Sequence, residues 1–356
     1  MLKVGSDFSG VGAFDQALKR LGVNYKTIFA CDMDKFARQT FIENYGEPKY
    51  YPENVYNREI PKESVDIYMT SPPCQAFSLA GNRKGESEER GVLFYNSHEF
   101  ILKNKPRYFI FENVKGLLSD DNGKTFQRWI DYLSKSVNGQ PVIFPHEESA
   151  NYHVYHKVLN SKDYGVPQNR ERIFIIGIRD DADNSFIFPP KEHLTKRLKD
   201  ILEDDVDEKY FLSNKAIKYL FSDSKSMSAN TLQKTTVCST LMACDYKSPK
   251  TIKVKSATKK GYETAKEGDS INFSQPNSAT RRGRVGKEVA QTLDTQCNQG
   301  IIQDRIRRLT PRECFRLQDF PDSFKMPCSD SQMYKQAGNS ITVGVLEKII
   351  NRLIKI

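Results

Sequence analysis

The chain has 356 residues, enough for a large core and two domains. No apolar run approaches the roughly 18 residues a membrane span needs, and the seven cysteines show no Cys-x-x-Cys spacing, which argues against a membrane-spanning helix and offers no zinc site. Lysine and arginine number 54 against 45 acids, and residues 209–300 alone hold 16 of the bases against 7 acids, so a neutral body carries one basic region.

Such a region suits a polyanion partner; a merely soluble surface is the plainer alternative. The odd cysteine count and the absence of a signal peptide lead us to expect reduced thiols and a cytoplasmic location. His153 and His156 sit three apart in an apparent strand and so face opposite sides, which argues against a shared metal.

Leu2–Asp7 reads as a first strand. Phe8-Ser-Gly10-Val-Gly12 is a glycine turn, and Phe14, Ala17, Leu18 and Leu21 mark one face of a helix. Strand, glycine turn and helix open a nucleotide-binding α/β unit. Tyr25–Cys31 is a second strand ending in Asp32-Met33-Asp34. Asp32 lies 22 residues after Gly10, where an acid can accept both hydroxyls of a ribose. There is no third glycine for a pyrophosphate, so an adenosine ligand such as S-adenosylmethionine fits better. Asp34 is the expected cap of the next helix.

Val65 to Met69 is a buried strand, with Asp66 near its start as a candidate reader of the adenine edge or a surface turn. The strand runs into Ser71-Pro-Pro-Cys74-Gln-Ala-Phe-Ser78. Two prolines stiffen the turn and set Cys74 at a sheet edge where such folds bind ligands. A free cysteine is often just a small buried hydrophobe; as a thiolate it is a nucleophile. Gly81, Gly85 and Gly91 among charged residues, Arg83 and Lys84 included, suit a solvated lid. Leu93–Lys103 looks helical. Arg107–Phe111 is a strand closed by Glu112-Asn-Val114, which places Glu112 at the same edge as Cys74. A carboxyl there is a candidate proton donor with a raised pKa, or a structural cap.

Tyr152–Leu159 continues the sheet. Gln168-Asn-Arg170-Glu-Arg172 precedes the strand Ile173–Ile178, and the two alternating arginines share a side if the segment is extended. They suit phosphate or an anionic intermediate, or are simply solvated. From about 191 to 310 the chain is polar, basic and poorly periodic, with Arg281, Arg282, Arg284 and Thr292 as candidate nucleic-acid contacts. Thr310-Pro-Arg-Glu313 is a capping box, and Val345, Ile349 and Leu353 mark the apolar face of a closing helix.

Taken in order, Asp7–Gly12, Asp32–Asp34, Asp66-Ile67, Ser71–Ser78, Glu112–Val114, Gln168–Arg172, Arg308–Leu317 and Gly338-Asn-Ser340 make the chain resemble the DNA (cytosine-5) methyltransferases of bacterial and phage type, in restriction-modification or orphan form, over nearly its full length. The resemblance implies a Rossmann-like, S-adenosylmethionine-dependent α/β domain of mostly parallel sheet with helices on both faces. It implies domains of 1–188 (catalytic), 189–320 (an irregular target-recognition domain) and 321–356 (a segment returning to the first). Cys74 is then the nucleophile toward C6 of a flipped cytosine, Glu112 the acid at N3, Arg172 the neighbour of the base carbonyl and Arg170 its support. Phe8, Gly10, Gly12, Asp32, Met33, Asp66, Ile67, Leu93, Asn339 and Ser340 line the cofactor pocket. Arg83, Lys84, Gln168, Arg281, Arg282, Arg284 and Thr292 touch duplex DNA. S-adenosylhomocysteine is the product, no metal takes part, and a monomer with or without a cognate endonuclease is expected. The same chemistry on RNA and a non-catalytic DNA-binding role are the alternatives. The ribose acid is usually glutamate in this family; here it is Asp32, and Ala13 stands where a further glycine is common.

Overall fold

The computed structural model describes residues 1–73, 93–183, 185–213, 252–275, 277–303 and 305–354. The lid glycines and Cys74 lie outside them. In chain order come β1 (Leu2–Asp7), α1 (Ala13–Arg20), β2 (Tyr25–Cys31), α2 (Lys35–Tyr45), β3 (Ile67–Thr70), α3 (Leu93–Asn104) and β4 (Tyr108–Val114). Next are α4 (Lys124–Leu133), β5 (Ser134–Val137), β6 (Gln140–Pro141), β7 (Tyr152–Asn160), β8 (Gln168–Asn169) and β9 (Glu171–Ile178). The basic region contributes β10 (Ile252–Lys255), β11 (Tyr262–Ala265), β12 (Ser270–Asn272), β13 (Val285–Gly286), β14 (Ala290–Gln291), β15 (Gln299–Ile302) and β16 (Ile306–Arg308). The chain closes with α5 (Pro311–Arg316), α6 (Asp330–Asn339) and α7 (Val343–Ile354).

Eight strands form one sheet in the order β2-β1-β3-β4-β9-β7-β5-β6. The first four are mutually parallel, and β9 enters antiparallel between β4 and β7. Alternation along the strands sends side chains to two faces. Val4, Ile67, Met69, Ile110 and Ile176 meet Phe14 and Leu18 of α1 and Leu346 and Ile349 of α7. Tyr68, Phe109, Phe111 and Ile175 meet Phe94 and Phe100 of α3 and Trp129 and Leu133 of α4. Burial on both faces is why these strands read as continuous apolar runs. The expected α/β sandwich with helices on both faces is what the chain forms. Among the described residues no helix is long and apolar enough to cross a membrane.

The basic region builds a four-stranded sheet, β13-β12-β15-β16, beside the β10-β11 hairpin. Its own small core holds Val254, Ala265, Ile271, Ile302 and Ile306. It is not a detached body. Leu198, Ile201, Ala290, Leu293, Leu309 and Phe315 pack in the same cluster as Val4 and Leu346, and β14 pairs with β8. The capping box read from sequence is present: Thr310 Oγ1 accepts from Glu313 N at 3.2 Å, and Glu313 Oε2 accepts from Thr310 N at 2.8 Å.

Candidate active site

In an open parallel sheet, ligands gather outside the carboxyl ends of the strands where strand order reverses. Here that point is β1, flanked by β2 and β3. The chain leaves β1 through Phe8, Gly10 and Gly12, all at positive φ. A Cβ on Gly12 would lie 2.3 Å from Tyr45, whereas one on Gly10 would meet nothing within 4 Å. Gly12 therefore serves helix packing, and Gly10 leaves a bare backbone face that a ligand can approach. Beneath the turn, Asp7 is buried and held by Arg58 Nε at 2.9 Å and the Tyr68 hydroxyl at 2.6 Å, so it is a structural carboxylate.

Asp32, at the end of β2, accepts from Gly10 N and Asp34 N, each at 2.8 Å and each on a different oxygen. Burial raises its pKa, and those two N–H groups and Arg38 oppose the rise. Each carboxylate oxygen keeps a further lone pair, so the residue fits a vicinal diol such as that of an adenosine ribose. Asp34 caps α2 as expected, accepting from Phe36 N at 3.0 Å and Ala37 N at 3.3 Å. Phe8 packs with Cys31, Val55 and Leu93 in a small apolar cluster at this edge. Met33 is 83% exposed beside it, and Asn339 is exposed at the end of α6 with Ser340 buried after it. Val55 was missed in the sequence; Asn54, whose Oδ1 accepts from Tyr56 N at 2.9 Å, is the local turn signal that marks it.

Asp66 and Ile67 are not part of this gathering. Asp66 accepts from Lys3 N at 2.8 Å at the start of β3, and Ile67 is fully buried in the sheet core. A strand of four residues puts them about 13 Å below the ligand edge. The assignment drawn from the resemblance is corrected on this ground: the amino end of a parallel strand faces away from the crevice.

Glu112 lies on β4 at the ligand edge and is 7% exposed. Register pairs Val114 with Arg172, which sets Glu112 and Arg172 diagonally on one face. Arg172 Nε stands 3.1 Å from Glu112 Oε1. Burial pushes the Glu112 pKa up, and the Arg172 and then Arg170 charges pull it back. The neighbouring Asn113, also missed in the sequence, donates from Nδ2 to Pro72 O at 3.4 Å. The strand bearing the buried acid thus grips the turn that leads into Cys74.

Arg170 is buried and donates to Leu293 O at 3.1 Å, Gly338 O at 3.1 Å and Ser340 O at 2.8 Å. Gln168, fully buried, donates to Leu317 O at 2.6 Å and accepts from Leu293 N at 3.2 Å. Gln168 was expected on DNA; its amide is instead committed to the interior. Arg284, expected likewise, is buried and donates to Asn272 O at 2.7 Å and Gln275 O at 2.9 Å. Arg282 and Thr292 are exposed and Arg281 is half-buried. Arg83, Lys84 and Cys74 lie outside the described residues.

Comparison with known proteins identifies the family and the fold. The family model for C-5 cytosine-specific DNA methylases matches residues 2–355. The orphan methyltransferase M.SPRI of Bacillus phage SPR is 32% identical, covering 99% of this chain and 97% of its own. The type II methyltransferase M.Bsp6I of a Bacillus species is 32% identical over 100% and 99%. Among solved structures, a DNA modification methyltransferase from an E. coli prophage superposes with a TM-score of 0.64 at 21% identity, covering 100% of this chain and 99% of its own. With the motifs in order along its whole length and the matching sheet beneath them, the chain belongs to the C-5 cytosine-specific DNA methylase family.

Proposed function

We propose that the chain methylates C5 of a cytosine within a specific duplex DNA sequence, with S-adenosylmethionine as donor. The observation that carries this is the buried Glu112 beside Arg172, on a strand whose Asn113 holds the Pro72 turn leading into Cys74. Cytosine C5 is a poor nucleophile. Attack of the Cys74 thiolate on C6 pushes an electron pair toward C5, while Glu112 donates a proton to N3 so that the ring carries no net negative charge. Arg172 faces the carbonyl oxygen of the base and favours its partial negative charge. The bound sulfonium supplies an electrophilic methyl. Loss of the C5 proton to water then restores the C5–C6 double bond and expels Cys74 as thiolate, and N3 returns its proton to Glu112.

Asp32 and the bare backbone at Gly10 hold the adenosine, with Phe8, Val55 and Leu93 as the apolar wall. The target carbon is stacked within a duplex, so the base must be flipped out, at a cost of about a few kcal/mol. The region from 189 to 320 reads the sequence, with Arg282, Arg281 and Thr292 toward the DNA. The test is bisulfite-type sequencing of a plasmid carried with this chain in a methylation-free host. Protected cytosines confined to one short sequence, absent with Cys74→Ala, are expected. Unprotected DNA from a folded, cofactor-binding protein would sink the proposal.

A further inference from the structure

One side chain behind the Asp32 turn has no part in the chemistry above. Arg38 sits on α2, one turn after the Asp34 cap. Its Nη1 donates to Tyr51 O at 2.8 Å, Pro52 O at 3.1 Å and Asp32 O at 3.5 Å. Its guanidinium lies 4.0 Å from the centre of the Tyr51 ring. The segment it grips runs beside the end of β2: Ala30 N donates to Tyr50 O at 3.2 Å and Asp32 N to Pro52 O at 3.3 Å. The Tyr51 hydroxyl meets Ser9 Oγ of the glycine turn at 3.2 Å, and Phe41 packs against the Tyr51 ring from α2. One guanidinium therefore joins the end of β2, residues 50–52 and, through Tyr51, the glycine turn.

We propose that Arg38, acting through Tyr51, is a positioning residue for the nucleoside site, fixing Asp32 and the glycine turn in register for a ribose diol, with its positive charge beside that turn. This rests on the reading of Asp32 as the ribose acid. A protonated carboxyl loses an acceptor position, so diol recognition needs the anion. The groups facing Asp32 are Asp34, which disfavours its charge, and Arg38, which favours it. Asp34 is itself paired with Lys335 at 2.6 Å. The Cys31 thiol, pushed up to about 12, and the Tyr51 hydroxyl, also raised, are both held neutral by burial.

Calorimetric titration of S-adenosylhomocysteine into the full chain, from pH 5.5 to 9, tests this. In Arg38→Met the midpoint of the pH dependence should move to higher pH, with affinity about tenfold lower at the acid end of the range and much closer to wild type at the alkaline end. Arg38→Lys keeps the charge and loses the fork, so it should restore the midpoint while leaving affinity a few-fold low at every pH. Tyr51→Phe should weaken binding about equally at every pH. Loss by one constant factor in Arg38→Met, or wild-type binding in it, overturns the proposal; should that variant not fold, an altered midpoint in Arg38→Lys does so. Asp32→Asn separates the two readings. Normal binding in it means Asp32 is not the ribose acid, whereas lost binding there with an unmoved Arg38→Met profile removes only the role of Arg38.

Discussion

At the scale of single residues, Glu112 is buried beside Arg172, and the proposed proton transfer to the base rests on that pairing. Glu112→Gln should lower single-turnover methyl transfer by about 10²–10⁴-fold, with DNA affinity within a few-fold of wild type; an unchanged rate would remove it from the chemistry. The pH dependence has a definite sign. Arg172 lowers the pKa that burial raises, so Arg172→Leu moves the Glu112 pKa up. A proton donor must be protonated to act, and the alkaline limb of the rate profile should therefore shift to higher pH in that variant even as its rate falls. The pair was legible because both residues sit in short, strongly patterned runs. The fate of Arg170 was not. Its alternation with Arg172 suggested a shared face, but Arg170 falls in the break between β8 and β9 and turns to carbonyls at 293, 338 and 340. Those acceptors come from segments 123 or more positions away in sequence.

At the scale of elements, local signals were dependable. The caps at Asp34 and Thr310 depend on contacts two or three residues away, and both are present. Asp66 failed because which end of a strand faces the crevice depends on the order of the whole sheet. α4 went unread although Phe126, Trp129, Ile130 and Leu133 have helical spacing. Helix α1 carries an internal cost that sequence alone does not reveal. Asp15 is buried within it, its carboxylate accepting from Thr27 Oγ1 at 3.2 Å, and burial pushes its pKa from 3.8 to about 7. A carboxyl whose folded pKa lies above its unfolded value binds more protons when folded, so it lowers stability as pH rises through that interval. The penalty is absent well below pH 4 and complete above about 7. Asp15→Asn keeps an acceptor for Thr27 without the charge. It should stabilise the chain by roughly 1–4 kcal/mol at pH 8 and by little at pH 4, read by urea unfolding at the two pH values. Equal effects at both would mean that Asp15 is neutral throughout.

At the scale of the whole molecule, two polar residues between the two sheets do what apolar packing alone would leave loose. Arg170 and Gln168 bind the backbone of 293, 317, 338 and 340 to the edge of the large sheet. Arg170→Leu leaves three buried carbonyls without that donor, each worth about 1–3 kcal/mol. A loss of several kcal/mol in urea unfolding is expected, and a change under 1 kcal/mol would show that the carbonyls find other partners.

The arginines of the basic region differ in burial, a difference invisible in the run Arg281-Arg-Gly-Arg284. Arg284 is 2% exposed and caps carbonyls inside the small sheet, while Arg282 is exposed, its Nε donating to Ala257 O at 3.0 Å. A phosphate contact releases about one counterion, so its removal lowers the slope of log K against log salt by about one. Arg282→Gln should therefore weaken binding to duplexes of any sequence and reduce that slope by about one. Arg284→Gln should instead lower thermal stability, and in the fraction that stays folded leave the slope as it was. Filter binding between about 50 and 200 mM salt reads both. The reverse pattern, with the slope following Arg284, would mean that this strand turns outward on DNA and that the small sheet opens to read it.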